Sequence, residues 1–140
     1  MFRVASLFVA IVLSTGIAQA DPQTPTVEIT GLRSTDGIVR VAVFDETTPF
    51  PGGEAITRIA VPAQDDRVVL TLTNLPSGRY AVAFFHDENA NNEFDRGVFG
   101  LPLEGFGFSN DAQVLLGPPD FDEAAIDFAA TDRISARMRY

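Results

Sequence analysis

The sequence predicts an all-β domain, a single antiparallel β-sandwich of about seven or eight short strands that follows a cleaved export signal. Three observations lead there. Short runs rich in β-branched and aromatic residues recur along the chain, turn residues separate them, and no long window shows apolar residues at helical spacing.

The elements follow in order. Residues 26–32 alternate apolar and polar and form a first strand. Residues 38–44 (Ile-Val-Arg-Val-Ala-Val-Phe) form a second, entered through the turn pair Asp36-Gly37. Residues 46–54 carry Pro49, Pro51 and a Gly-Gly pair and read as a loop. Residues 56–61 are a strand ended by Pro62. Residues 67–73 set Val68, Leu70 and Leu72 against more polar neighbours, as a half-buried strand does. Leu75-Pro76-Ser77-Gly78 is a turn, and residues 80–85, apolar on both faces, read as a central strand. Residues 112–116, 124–128 and 134–138 complete the set, the second of these being equally compatible with a helical turn. No repeat of 20 to 50 residues is visible.

The first twenty residues read as an address. Arg3 supplies the charged n-region, residues 4–13 the apolar core, and Ala18-Gln19-Ala20 a small-residue cleavage site before Asp21. The apolar run is broken at Ser14, Thr15 and Gly16, short of the roughly 18 residues that spanning requires. The expectation is a soluble, exported chain, periplasmic or secreted, with one domain over residues 21–140 and no membrane insertion after cleavage. It contains no cysteine, so neither disulfides nor a lipidated thiol contribute. Without Arg3 there remain 9 basic against 19 acidic residues, a formal charge of −10. That surface disfavours nucleic acid and anionic lipid and attracts cations.

The motif with chemical content is His86-Asp-Glu-Asn-Ala-Asn-Asn-Glu-Phe-Asp95. Asp87, Asn89, Asn91 and Asp95 occupy the first, third, fifth and ninth places of a loop that wraps a hard cation such as Ca²⁺, and the backbone carbonyl of Glu93 takes the seventh. Asn92 stands at the sixth place, where a sharp turn favours glycine, and asparagine tolerates that backbone. The twelfth place, usually a bidentate glutamate, is Val98. Glu88, Glu104 and Asp111 are the carboxylates available to replace it. With so few charges, affinity is expected on the order of 10⁻⁴ to 10⁻³ M. Asp87→Ala is expected to abolish binding and leave the apo fold intact. The competing reading is a loop whose Asp and Asn side chains bond their own backbone.

Residues 97–110 interleave four glycines with Phe99, Leu101, Leu103, Phe106 and Phe108. A connection spanning residues 86–110 is longer than structureless loops usually are, which marks it as functional, and its phenylalanines are expected to pin it to the core. His86, the lone histidine, has no nitrogen or sulfur partners for zinc and is expected to bond a loop carbonyl. Serines at 34, 77, 109 and 135 lie in no Gly-x-Ser-x-Gly elbow. With no tryptophan and only Tyr80 and Tyr140, flat glycan-stacking surfaces are scarce.

Together, Leu75-Pro-Ser-Gly-Arg-Tyr80, the His86 to Asp95 run, and Gly100-Leu-Pro-Leu-Glu104-Gly-Phe-Gly-Phe-Ser-Asn110 resemble a bacterial exported family, domain of unknown function 2141. The resemblance covers residues 27–128. It implies an immunoglobulin-like or transthyretin-like sandwich and no particular activity. The expected function is a non-enzymatic exported module that binds Ca²⁺ weakly through Asp87, Asn89, Asn91, Glu93 and Asp95. It would present the adjoining Gly/Phe loop to a protein or envelope partner. The alternative is a hydrolase or isomerase using Asp87, Glu104 or Asp111 with His86.

Overall fold

Period-two alternation builds two sheets facing one core in the computed structural model, which describes residues 24–140. The expected signal peptide, residues 1–20, lies outside the described residues. The strands are β1 (Thr26–Thr30), β2 (Ile38–Phe44), β3 (Thr57–Pro62), β4 (Arg67–Thr71), β5 (Arg79–Asp87), β6 (Phe106–Phe108), β7 (Ile126–Asp127) and β8 (Arg133–Arg137), with one short helix, α1 (Phe121–Ala124). One sheet has the order β4-β1-β8 and the other β3-β2-β5-β6, with β7 added to the start of β5. Pairing is antiparallel except between β1 and β8, which run parallel because the chain enters β8 by crossing from the other sheet. The expected all-antiparallel arrangement is corrected there.

The inward residues of both sheets form the main core. Val27 and Ile29 of β1, Val68 and Leu70 of β4, and Ile134 and Ala136 of β8 meet Val39, Val41 and Val43 of β2 and Tyr80, Val82 and Phe84 of β5. The turn before β5 is fixed by the Tyr80 hydroxyl, which donates to the Pro76 carbonyl at 2.9 Å.

A second cluster lies on the outer face of the larger sheet. Phenylalanine rings run in edge-to-face or tilted contacts from Phe121 to Phe50, Phe108, Phe106, Phe94 and Phe85, with centroid separations of 5.4 to 6.3 Å. Such pairs prefer this geometry because the ring edge is positive and its face negative.

Two sequence expectations change. Residues 112–116 form no strand, and Phe106–Phe108, expected within a loop, pairs with Ala83 to Phe85 as β6. The free edge of β5 is already taken by β6 and by β7, and positive φ at Asn110 and Asp111 turns the chain away from the sheet. Residues 124–128 divide between the two readings, ending α1 and forming β7. Among the described residues no helix is long and apolar enough to cross a membrane.

Candidate functional site

The acidic run starts on a strand. Alternation along β5 turns Tyr80, Val82 and Phe84 inward. His86 continues that inward face, and Asp87 continues the outward one with Phe85. Both residues are fully buried.

His86 reaches two partners across the sandwich. Nδ1 lies 2.7 Å from the Tyr140 hydroxyl and Nε2 lies 2.6 Å from the Asp36 carbonyl. A carbonyl only accepts, so Nε2 carries the proton. The Tyr140 hydroxyl also accepts the Arg33 backbone N–H at 3.1 Å, which leaves its own proton for Nδ1. The loop-carbonyl partner expected for His86 is Asp36.

Asp87 organises the loop that follows it. Oδ2 accepts from Arg40 Nε at 2.5 Å and from the Asn92 N–H at 2.9 Å, and Oδ1 accepts the Asn91 N–H at 3.0 Å. The strand register explains the arginine: Arg40 stands opposite Phe85 and Ile38 opposite Asp87, so Arg40 and Asp87 are diagonal neighbours on one face. Burial works against the charged carboxylate, yet the Arg40 guanidinium and the two backbone N–H groups outweigh it and hold its pKa below the usual range. Opposite the first turn, Gly37 (φ +70°) leaves space that no side chain could share, since a Cβ there would sit 2.0 Å from the Asp87 carbonyl oxygen.

Asn89, Asn91 and Asp95 are brought together. The Asn89 amide donates to Asp95 Oδ2 at 2.7 Å and the Asn91 amide to Asp95 Oδ1 at 3.1 Å. Asn89 Oδ1 accepts the Asn91 N–H and Asn91 Oδ1 accepts the Glu93 N–H, the Asx-turn bonding of the competing reading. Ala90 and Asn92 take positive φ, the latter at the sixth place where the ion-loop pattern turns sharply.

Of the three carboxylates considered for the missing ligand, Glu104 is the one delivered to the loop. It is nearly buried and spans the loop's mouth, with Oε1 accepting the Glu88 N–H at 3.2 Å and Oε2 the Asp95 N–H at 3.0 Å. Burial first, and then the nearby Asp95 and Asp87 charges, raise its pKa against the effect of those bonds. Glu88 points elsewhere, into an ion pair with Arg33 and a 2.8 Å bond from Ser34 Oγ. Asp111 accepts the Arg137 N–H.

As a cation loop, the donor atoms fit in kind, all being oxygens. Asp95 faces two amide N–H₂ groups, and the charge of Asp87 is already met by Arg40. Among the described residues no group of three or more His, Asp or Glu side chains is arranged to hold a metal.

Next to this loop stands a tight hairpin. Asp95 O accepts the Leu103 N–H at 3.0 Å, Arg96 bridges Pro102, and the Gly97 N–H donates to the Leu101 carbonyl at 2.8 Å. Phe99 (φ 61°) and Gly100 (φ 74°) make the left-handed turn at its tip. Four apolar side chains are bare: Phe99 is 97% exposed, Val98 74%, Leu101 65% and Leu103 58%. Pinning by phenylalanines holds for Phe106 and Phe108 but not for Phe99. Phe94 anchors the hairpin's base, seated between Phe85 and Phe106 under the Arg96 guanidinium.

Sequence reasoning missed Arg40 and Tyr140 as partners of Asp87 and His86. A lone arginine inside an otherwise apolar strand was the available signal for the first. The bare hairpin had none, since apolar residues beside glycines read equally well as buried.

A bacterial family described as an uncharacterized protein conserved in bacteria, domain of unknown function 2141, matches residues 27–135. No curated protein and no solved structure matches the chain.

Proposed function

From the premise that the chain belongs to the bacterial family of domain of unknown function 2141, we propose that it is an exported, non-enzymatic binding module whose working part is the hairpin of residues 95–103. The observation that carries this reading is the display of Val98, Phe99, Leu101 and Leu103 to solvent on a hydrogen-bonded hairpin. Leaving a phenylalanine bare forfeits on the order of 2 kcal/mol of burial. Holding it at positive φ adds strain that a non-glycine residue rarely carries. Apolar groups fixed in that way serve a partner that covers them.

The loop of Asp87, Asn89, Asn91, Glu93 and Asp95 forms the hairpin's foundation and, in this reading, binds Ca²⁺ weakly. The closeness of Asn89 and Asn91 to Asp95 supports it, a bound cation requiring both amides to turn their oxygens inward, with the Glu93 carbonyl the seventh-place donor that the spacing predicts. Arg40 at Asp87 lowers the net charge offered to the cation, in keeping with affinity on the order of 10⁻³ M. Asp87→Ala is not the clean control expected from sequence, because it would strand the Arg40 charge. Asp95→Asn is the better one.

Against catalysis, both His86 nitrogens and both Asp87 oxygens are engaged within the protein. Among the described residues, two of the surface clefts are lined, respectively, by Leu32 to Thr35 with Asp65 and Asp66, and by Ile56, Thr57 and Ile59 with Leu72 to Leu75. Neither includes His86, Asp87, Glu104 or Asp111.

The test places a photo-crosslinking amino acid at Phe99 in bacteria exporting the protein, with Val69, exposed on the other sheet, as control. A discrete adduct at 99, absent at 69 and lost on adding Leu101→Ser, is expected. Equal labelling at the two positions would overturn the reading.

A further inference from the structure

Residues 97–103 read Gly-Val-Phe-Gly-Leu-Pro-Leu, seven in a row without a side-chain atom that donates or accepts a hydrogen bond. Their apolar surface is not confined to one side. By alternation, Leu101 and Leu103 share one face of the hairpin, and Pro102, opposite Arg96, stands exposed on the other. Val98 and Phe99 make the end. Among the described residues nothing stands over that end: a Cβ at Gly100 would meet no atom within 4 Å, and Phe99 is 97% exposed.

These features discriminate between partners. A protein interface is polar as well as apolar, with about one hydrogen bond per 100–200 Å². A rigid partner also covers a projecting element from one side only. Hydrocarbon needs no side-chain hydrogen bond and closes around a projection from every side. Backbone groups entering it have to be met internally. The N–H groups of Gly97, Gly100 and Leu103 are bonded inside the hairpin, and Pro102 has none to offer. Length agrees as well. From Arg96 to the end at Phe99 is three residues, at most about 10 Å, and apolar faces of surface-bound elements lie roughly 5–10 Å into the boundary of headgroups and acyl chains. Arg96, exposed at the base over the Phe94 ring, then stands at the level of the phosphates.

Starting from the hairpin as the working part, we propose that its partner is the surface of a zwitterionic phospholipid bilayer, in which Val98, Phe99, Leu101 and Leu103 seat among the first carbons of the acyl chains. The net charge of −9 sets the rest of the molecule against an anionic surface. Seven residues seated in this way are a foothold and do not span. With four apolar side chains the attachment is weak and reversible, as it is for a single acyl chain.

Because the chain has no tryptophan, Phe99→Trp places a sole fluorescent reporter at the end of the hairpin, and Val69→Trp places one on the other sheet as control. Each protein, purified after export so that no signal sequence remains, is titrated with phosphatidylcholine vesicles. Emission at 99 is expected to shift to the blue and to be quenched by lipids brominated along their acyl chains, while emission at 69 stays as in water. Adding Leu101→Ser should weaken partitioning about tenfold, and Leu101 is exposed, so folding is not at stake. Replacing part of the lipid with phosphatidylglycerol should weaken it too. Equal shifts at 99 and 69, or binding that strengthens with phosphatidylglycerol, would overturn the inference, since adsorption or arginine charge would then carry the contact. No shift at 99 with millimolar lipid would also overturn it. If the photo-crosslinker at 99 still captured a protein in the exporting cells, the hairpin would remain the working part with a protein partner. No shift and no adduct would overturn both readings.

Discussion

Asp87 connects strand to loop through a single carboxylate with three donors, and its removal should be felt throughout the site. Asp87→Asn keeps the size and one acceptor oxygen but leaves the Arg40 charge facing an amide. The Arg40 side chain is 22% exposed and that of Asp87 0%, so the pair is only partly shielded from water. We expect a loss of about 2 kcal/mol by urea denaturation at neutral pH, below the 3–5 kcal/mol of fully buried pairs. The pH dependence has a definite sign. Folding lowers the Asp87 pKa, so its stabilising contribution is complete above the usual carboxylate range and disappears as pH falls through the lowered value. Wild type and Asp87→Asn should therefore converge in strongly acidic solution, and a gap that stays constant with pH would contradict the role given to Arg40. At this scale the sequence was half legible. The places of Asp87, Asn89, Asn91 and Asp95 are a matter of spacing and could be read directly. Arg40 lies 47 residues upstream and reaches Asp87 only through the β2–β5 register, which spacing along the chain does not encode.

At the scale of elements, the hairpin and β6 adjoin in sequence yet depend on opposite physical demands. Phe99 holds a left-handed backbone with its ring in solvent, so it contributes strain and no packing. Phe99→Gly should leave the melting temperature unchanged or raise stability by up to about 1 kcal/mol, since glycine takes this conformation freely. A loss exceeding that amount would show a packing role for the ring. Gly107 is the reverse case. A Cβ there would meet the Phe84 ring at 2.6 Å and the Arg137 carbonyl at 2.7 Å, between the sheets. Gly107→Ala should cost about 1–3 kcal/mol by overpacking, and an unchanged unfolding midpoint would be inconsistent with β6 closing the sandwich against β8. This contrast explains which elements were legible. β1, β2 and β4 announce themselves by alternation, since each buries one face, and β5 by being apolar on both. β6 is three residues with glycine at its centre and owes its pairing to the unfilled edge of β5, a tertiary vacancy. Residues 112–116 show the converse, strand composition without strand pairing, since Ala112 is buried in the outer-face cluster and its N–H bonds the Ser109 carbonyl.

For the molecule as a whole, charge decides how any calcium effect must be measured. The full chain has 19 acidic and 10 basic residues. Several arginines are already paired, Arg33 with Glu88, Arg40 with Asp87, Arg67 and Arg133 with Glu28, and Arg79 with Asp122. The excess acids repel one another across the surface, and added salt shortens that repulsion from a range of about 30 Å at 0.01 M to about 8 Å at 0.15 M. Stability should therefore rise with sodium chloride, and any divalent cation will stabilise by screening alone. Loop binding has to appear above that baseline. With ionic strength held constant, several millimolar Ca²⁺ should raise the melting temperature beyond Mg²⁺, because Mg²⁺ demands a tighter octahedral shell and sheds water reluctantly. At a calcium concentration equal to the Kd the linked gain is only about 0.4 kcal/mol, so the increment is small but measurable. Asp95→Asn removes the carboxylate on which both asparagines converge and should erase the calcium-specific increment while leaving the response to sodium chloride. Equal shifts with Ca²⁺ and Mg²⁺, unaltered in Asp95→Asn, would mean that the loop from Asp87 to Asp95 serves only to brace the hairpin through its own hydrogen bonds.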